Sequence, residues 1–325
     1  SDLGICYRGL VEGDCMTVVR RRLSGRDQGD LSVATSADYA ACRRVMRAAS
    51  KNYAFASLAL PRDKTRHVEA LYALLRVGDD LVDVSHSSVF GRSFSSPNEA
   101  IDDWERLYWQ AFETQIGRKH CIDHPVMRAY LDTALTFGIP AETMTAYFRA
   151  MREDLTVTRY PTFEDLLYYM RGSAIPVGRA MVHILGVKPP HTIGKARPHA
   201  DSLAVAMQLS NFWRDIGEDW ERGRVYIPQE DMTRFGVTED DIGARRITPA
   251  FIALLDFEIA RAMRYYDHAA EGIRFLATGR WGVRSGLRIY RAILTHIRRQ
   301  NYDVFSHRAG ANLWQRVGHV LCALV

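Results

Sequence analysis

Two acidic stretches far apart in the chain, RVGDDLVD (76–83) and QLSNFWRDIGED (208–219), decide the fold that this sequence predicts. In each stretch, carboxylates or amides recur every four residues. On an α-helix that spacing puts the side chains on one face, one turn apart. Two such faces brought together would hold several oxygen ligands around a shared space, an arrangement that suits Mg²⁺ and the phosphates of a substrate. The sequence therefore predicts a helical protein whose cation site binds and ionises a diphosphate.

The first stretch places Asp79, Asp80 and Asp83 near the C-terminal end of a predicted helix. Acidic residues at that end oppose the helix macrodipole, so such a cluster is mildly unfavourable without a function. Arg76 lies one turn before Asp79, and Tyr72 lies on the adjoining face. The alternative interpretation is a solvated acidic helix end.

The second stretch is more specific, because Asn211, Asp215 and Asp219 are spaced i, i+4, i+8, with Gln208 one turn earlier and Arg214 before the central Asp. An Asn in line with two Asp can give a cation a neutral oxygen. The alternative is an exposed face paired with arginines. Two carboxylate faces repel each other without a cation, so metal binding would explain both stretches together.

Composition limits the class of protein. The chain has 325 residues, is 47% hydrophobic and carries a net charge of +5, with only five lysines among its 43 basic residues. One large core is expected. Arginine matches phosphate oxygens well, although genome composition is an alternative source of the bias. No basic block is long enough to predict nucleic-acid binding.

Other signals narrow the setting and the chemistry. Five scattered cysteines without a CxxC pair favour a reduced, cytoplasmic location. The sequence contains no run of about 20 apolar residues, so no membrane-spanning helix is predicted. It also shows no apolar signal segment. The sequence has no GxGxxG, HExxH or GxSxG motif, and its histidines are dispersed.

Apolar residues recur at three- and four-residue spacing from residue 37 onward, and alternating runs are scarce, so helices and not strands are expected. Ser36 is the expected N-cap of the first helix. Ser-rich 84–98 and proline-containing 186–198 are predicted loops. The predicted helices are 37–50, 52–58, 64–83, 98–116, 123–137, 141–154, 163–170, 172–185, 197–220, 249–276 and 281–300. We expect one all-α bundle around a central apolar cavity, preceded by an arm (1–36) and followed by a tail (311–325).

Aromatic side chains could wall that cavity, because an allylic cation needs an apolar space without water and is stabilised by aromatic faces. Ordinary core packing is the alternative for each of them, and for most of them it is the favoured interpretation. The candidates are Tyr53, Phe55, Tyr72, Tyr168, Tyr169, Phe212, Trp213 and Tyr290.

From about residue 40 to residue 310 the sequence resembles the squalene and phytoene synthase family. The second acidic stretch followed by RGRVYIPQED is highly specific to that family. The resemblance is carried by SKNYAFASLALP (50–61), ALYALLRVGDDLVD (70–83), DLTVTRYPTFEDLLYYMRGSA (154–174), QLSNFWRDIGEDWERGRVYIPQED (208–231), LRIYRAIL (287–294) and NYDVF (301–305). It is nearest to bacterial phytoene synthases of the actinobacterial kind. It implies the isoprenoid synthase fold, with a catalytic domain over 37–310.

Site residues follow from the resemblance by motif position. It implies that Mg²⁺, with Mn²⁺ as a substitute, is held by Asp79, Asp83, Asn211, Asp215 and Asp219. It implies diphosphate contacts from Ser50, Lys51, Tyr72, Arg76, Gln208, Arg214 and, on the late helix, Tyr290. Arg171 stands where many relatives have a Tyr, and an added phosphate contact is one consequence. The residues expected to be catalytic are Asp79, Asp83, Asp215, Asp219, Tyr72 and Arg76.

The resemblance implies a prenyltransferase that condenses two geranylgeranyl diphosphates head to head, through a cyclopropyl diphosphate, to phytoene in carotenoid biosynthesis. NADPH is not expected for that reaction. The alternatives are a farnesyl-using synthase of squalene, presqualene diphosphate or hydroxysqualene, a terpene cyclase on the same fold, and a non-catalytic relative. The prenyl diphosphates are the expected partners, together with peripheral contact at the inner membrane surface.

Overall fold

The computed structural model describes residues 33–49, 60–83, 94–117 and 124–306, without the side chains of 82–83 and 113–117. Predictions for the arm, the tail and helix 52–58 therefore lie outside the described residues. Thirteen α-helices form within these ranges. They are α1 (Ser36–Ala49), α2 (Arg62–Asp83), α3 (Pro97–Gly117), α4 (Pro125–Phe137), α5 (Thr145–Glu153), α6 (Phe163–Ser173), α7 (Ile175–Leu185), α8 (Ile193–Arg214), α9 (Ile216–Glu221), α10 (Gln229–Phe235), α11 (Glu239–Gly243), α12 (Pro249–Gly272) and α13 (Arg280–Arg299).

The all-α prediction is confirmed for the part of the chain that the structure describes. Two 3-10 turns, Ala141–Met144 and Ile273–Phe275, precede α5 and follow α12. No strand forms in these residues, which contain only two isolated bridges, Arg159 with Val225 and Val187 with Leu276.

Helix ends follow local sequence signals. Thr162 caps α6 and Thr238 caps α11 by reciprocal bonds with an Asp three residues later. The prediction of Ser36 as the first cap was wrong by one residue. Thr35 exchanges the same pair of bonds with Asp38, whose backbone N–H donates to the Thr35 hydroxyl at 3.3 Å.

The second acidic stretch does not lie on one unbroken helix, as the prediction of 197–220 assumed. Helix α8 ends at Arg214, and Asp215 takes φ −102° and ψ 15° before α9 begins. The predicted loop 186–198 was also too long, because α8 begins at Ile193 and includes Pro198. A proline this near the helix start removes one i→i−4 hydrogen bond and leaves the rest of the helix intact.

The helices bury two separate clusters of apolar side chains. Helices α1–α5, with Ala180 and Ile184 of α7, form the first, which includes Leu71, Tyr130 and Phe148. Helices α6–α13 form the second, in which Trp213 and Phe251 are fully buried. Helix α8 packs against α7, α12 and α13, so it is surrounded on most sides.

Close helix packing holds α7 against α8. A Cβ added at Gly178 would lie 2.7 Å from the carbonyl oxygen of Ala200, so only glycine permits this approach. The two clusters meet along these helices, and a large cavity lies at their junction.

Candidate active site

A cavity of about 730 Å³ lies between the two apolar clusters. Its walls come from one face of each of α2, α7, α8 and α13, with the C-terminal end of α12. Most of this wall is aliphatic and includes Leu71, Leu75, Val177, Met181, Leu203, Met207, Ile273, Val283 and Leu287. The cavity can therefore hold a long hydrocarbon chain away from water.

One end of the cavity is polar. The structure brings together there eight of the residues that the sequence analysis selected, from three helices that are distant in sequence. They are Tyr72, Arg76, Asp79, Gln208, Asn211, Arg214, Asp215 and Tyr290. An apolar cavity with charged groups at one end fits an amphiphile with an anionic head.

The polar end of the cavity lies at the C-termini of two helices. Asp79 lies in the last turns of α2, and Asp215 directly follows α8. The macrodipole makes such ends partly negative. Asp79 and Asp215 add full negative charges to it. The polar end is therefore electrostatically suited to cations.

Two guanidinium groups offset part of that charge. Arg76 pairs with Asp80 one turn later, and the Arg214 Nε donates to Asp215 Oδ1 at 2.7 Å. Burial opposes the charge of Arg214, but the hydrogen bonds to Asp215 and the negative charge of that carboxylate together outweigh burial and raise the pKa of Arg214. The Arg76 Nε is buried and has no acceptor among the described residues, which leaves a donor for a bound anion.

Asp219 does not line this cavity. It faces a small separate space of about 10 Å³, together with Phe212, Arg224 and Tyr226. The helix break at Asp215 explains why Asp219 does not face the cavity with Asn211 and Asp215. Residues spaced i and i+8 share one face only when the helix between them is continuous. Burial, followed by the nearby charge of Asp215, raises the pKa of Asp219 to about 7.

Arg171 is also absent from the cavity lining. It lies on α6 with an exposed side chain that pairs with Glu164. Ser50 and Lys51 lie outside the described residues, as does the side chain of Asp83, although its backbone belongs to α2.

Of the aromatic residues expected to wall the cavity, Tyr72 and Tyr290 do so. Phe212, Trp213 and Tyr169 are buried in the second cluster instead, and Tyr168 is exposed. These four do not wall the cavity, and the three buried ones show the core packing that was the favoured interpretation for most of the candidates. Tyr53 and Phe55 lie outside the described residues.

Comparison with known proteins identifies the family. Residues 46–315 match the family described as Squalene/phytoene synthase. The chain belongs to the squalene/phytoene synthase family. Among its relatives are the 15-cis-phytoene synthase of Synechococcus elongatus, 32% identical over 296 residues that cover 88% of this chain and 91% of the relative, and that of Synechocystis sp., 34% identical over 280 residues that cover 83% and 80%.

Solved structures agree with this assignment. The chain superposes on a dehydrosqualene synthase with a TM-score of 0.76 at 26% identity, covering 88% of this chain and 95% of the other. For a squalene synthase from Alicyclobacillus acidocaldarius the TM-score is 0.70 at 31% identity, covering 82% and 95%. The predicted all-α isoprenoid synthase fold is thus confirmed, and the chain is a prenyltransferase. The likeness to actinobacterial members stays a prediction.

Members of this family act on prenyl diphosphates and typically need a divalent metal. In this synthase the predicted metal ligands that line the cavity are Asp79, Asn211 and Asp215. No group of three or more His, Cys, Asp or Glu residues converges closely enough to hold a metal in the described part of the chain. The donor set is nonetheless of the carboxylate and amide type that Mg²⁺ prefers, and it leaves ligand positions for phosphate oxygens.

Sequence reasoning missed Tyr147, which lines the cavity of this synthase and is fully buried. Its hydroxyl donates to the carbonyl oxygen of Leu75 at 2.8 Å. That carbonyl is the helical acceptor for the N–H of Asp79. Gly78 makes the contact sterically feasible, because a Cβ there would overlap the Tyr147 hydroxyl. No spacing rule links residues 78 and 147, so only the tertiary structure reveals the pair.

We expect Gly78→Ala to lower the free energy of unfolding by about 1–3 kcal/mol, because the new methyl group overpacks against Tyr147. Gly286→Ala is the matched control, since it also lies in a helix on the cavity wall, but nothing lies within 4 Å of an added Cβ. Helix propensity should make that change neutral or stabilising by up to about 1 kcal/mol. Urea unfolding measures both, and equal stabilisation by the two substitutions would contradict the packing argument.

The raised pKa of Asp219 should make the stability of the metal-free protein depend on pH. The Asp219 pKa of about 7 in the folded protein lies above the ordinary value of 3.8 for an Asp, so the folded state binds the proton more tightly than the unfolded chain does. Deprotonation of Asp219 therefore costs stability as pH rises through this window. Asp219→Asn removes that cost. The stability gained should be about 1–3 kcal/mol larger at pH 8 than at pH 5, measured by urea unfolding with a chelator present.

The control for this prediction is Asp240→Asn, a change at an exposed position of α11, which should alter stability little at either pH. A gain from Asp219→Asn that is the same at pH 5 and pH 8 would rule out a raised pKa at this residue.

Proposed function

We propose that this chain is a phytoene synthase, which joins two geranylgeranyl diphosphates at their first carbons through a cyclopropyl diphosphate. The products are one C40 hydrocarbon, two diphosphates and two protons. The observation that carries the proposal is the meeting of two acidic, arginine-bearing helix ends at the polar end of one long apolar cavity. The names of the relatives at 32–34% identity support the choice of the C20 substrate.

The metal would be Mg²⁺, with Mn²⁺ as a substitute, held by Asp79, Asn211 and Asp215. Asp83 and Asp219 are further proposed ligands. When bound, the metal supplies positive charge to the departing diphosphate. Asp219 lies beyond the cavity wall in the described structure, so its participation requires α9 to shift toward the cavity.

The arginines and neutral polar groups of the polar end bind the diphosphate in this proposal. The buried, unsatisfied Nε of Arg76 is directed to a phosphate oxygen, and a cation among the carboxylates would release Arg214 from Asp215 for a second contact. Tyr72, Gln208 and Tyr290 line the same end as hydrogen-bonding groups. Ser50 and Lys51 stay predicted diphosphate ligands. For Arg171 a direct contact is not proposed, because it pairs with Glu164.

The rest of the cavity holds the prenyl chains and excludes water from the carbocation. Along α8 the wall extends from Asn211 to Ala196, which is about 22 Å at 1.5 Å per residue. Beyond the polar end, the side chains along this length are aliphatic apart from Tyr147, Ser173 and His199, so few nucleophiles compete with rearrangement and proton loss of the cation. The proposed reaction needs no reductant, in keeping with the expectation that NADPH is not used.

A farnesyl-using synthase is the second candidate. The observation that favours it is the similarity to the dehydrosqualene and squalene synthase structures, at TM-scores of 0.76 and 0.70. The two candidates share the polar end and differ in the chain length that the apolar wall accepts.

Product analysis tests the proposal. Purified protein is incubated with Mg²⁺ and either farnesyl or geranylgeranyl diphosphate, with and without NADPH, and the extracts are examined by mass spectrometry. A C40 hydrocarbon that does not depend on NADPH is expected. A C30 product would assign the chain to the squalene branch, and diphosphate release without a coupled product would contradict head-to-head condensation.

Asp79→Ala and Asp215→Ala should each lower kcat by at least about 100-fold, because each removes a proposed ligand of the metal that stabilises the departing diphosphate. Asp63→Ala is the matched control. Asp63 lies on the same helix as Asp79, but in its exposed first turn, and its loss should leave the rate nearly unchanged. Full activity of either polar-end variant would overturn the assigned roles.

We also propose that the enzyme works in the cytoplasm against the inner surface of a membrane, since its product is a long hydrocarbon. In the part of the chain that the structure describes, no helix is long and apolar enough to cross a bilayer.

A further inference from the structure

Two segments of the chain are basic and lack acidic residues. Residues 272–300 contain seven Arg and no Asp or Glu, and residues 186–200 contain Lys188, Lys195 and Arg197 with no acidic residue. The net charge of the whole chain is only +5. Positive charge is therefore concentrated in these two segments.

The two segments lie side by side in the fold. The backbone N–H of Lys188 donates to the Phe275 carbonyl at 2.8 Å, and that of Ala277 donates to the Gly186 carbonyl at 2.9 Å. The rings of His191 and Phe275 are 4.8 Å apart in an edge-to-face arrangement. The segments consequently form one continuous surface.

Five cations and two apolar side chains are exposed on this surface, which we call the basic end face. It consists of Lys188, Lys195, Arg197, Arg274, Arg280, Ile193 and Trp281. Arg291 and Arg298 of α13 pair with Asp267 and Asp256, whereas the five cations of the face have no ion pair within the described ranges. Ile193 is 39% exposed and Trp281 is 36% exposed.

The basic end face covers the apolar end of the cavity. Leu185, Ala196, Leu276 and Val283 line the cavity and alternate in sequence with residues of the face. On α8, Arg197 of the face and Asp215 of the polar end lie at opposite ends of the helix, about 27 Å apart at 1.5 Å per residue. The hydrocarbon end of a bound chain would thus lie beneath this face.

We propose that the basic end face docks on a bilayer that contains anionic phospholipid. Each Lys or Arg near such a surface contributes about 1 kcal/mol of attraction, and Trp side chains prefer the membrane–water interface. The exposed Ile193 and Trp281 favour a lipid surface over a soluble polyanion, because a polyanion offers no apolar layer to receive them. The inference rests on the proposed function only in that a hydrocarbon product has to pass into lipid.

Vesicle co-sedimentation tests the docking. The full chain is mixed with vesicles of phosphatidylcholine alone or with phosphatidylglycerol, at low and high salt. Binding should require phosphatidylglycerol and weaken with salt. The first variant combines Lys188→Gln, Lys195→Gln, Arg197→Gln and Arg274→Gln, and its matched control combines Arg44→Gln, Arg47→Gln, Arg234→Gln and Arg299→Gln, at exposed positions elsewhere.

Each removed charge of the face should weaken binding about fivefold, so the first variant should lose nearly all binding while the control keeps nearly all of it. Both should retain activity on detergent-dispersed substrate, since none of these residues lines the cavity. Vesicle binding needs no substrate, so its outcome is independent of the product analysis. The proposal would be overturned if the wild type bound vesicles equally well with and without phosphatidylglycerol, or if the two variants lost vesicle binding to the same extent.

Two further measurements address the nature of the surface. Brominated lipid should quench tryptophan fluorescence in the wild type and quench it less in Trp281→Phe, because Trp281 inserts among the lipids. Retention on heparin without any vesicle binding would overturn the proposal and assign the face to a soluble polyanion.

Discussion

The negative charge that two acidic helix ends bring to one cavity is the constraint on which this site depends. Asp79 near the end of α2 and Asp215 at the end of α8 line one cavity, although 136 positions separate them in sequence. Their charges add to the negative ends of two helix dipoles. The fold offsets the cost in part with Arg76 and Arg214. A site built this way favours metal cations, and through them a diphosphate.

The surrounding fold gives that site one polar and one apolar end. The two apolar clusters meet along α7 and α8 without filling the space between them, which leaves a cavity with aliphatic walls. The Tyr147 hydroxyl bonds to the α2 backbone at Leu75, four residues before Asp79, and Gly78 leaves room for that bond. At the opposite end of the cavity, cations without ion pairs in the described ranges surround exposed Ile193 and Trp281. The charges at the polar end of the cavity thus suit a metal and the diphosphate of a substrate, and those of the basic end face suit an anionic lipid surface.

Periodicity and spacing along the sequence predicted the features that depend on a single segment of the chain. The 3.6-residue period located the long helices, and four-residue spacing selected Asp79, Gln208, Asn211 and Asp215, which do share a cavity. Tyr290 came from the family resemblance. Asp219 was misplaced because i+8 spacing assumes an unbroken helix, while the backbone bends at Asp215. Tyr147 and the exposed pairing of Arg171 with Glu164 depend on contacts between helices, which spacing along one segment does not encode.

Anomalous diffraction from crystals grown with Mn²⁺ and a non-hydrolysable prenyl thiodiphosphate would locate the metal directly. We expect manganese at the polar end of the cavity, within about 2.5 Å of carboxylate or amide oxygens of Asp79, Asn211 or Asp215, with the diphosphate beside Arg76. Manganese bound elsewhere, or a diphosphate held at the polar end with no metal between the two helix ends, would contradict this expectation.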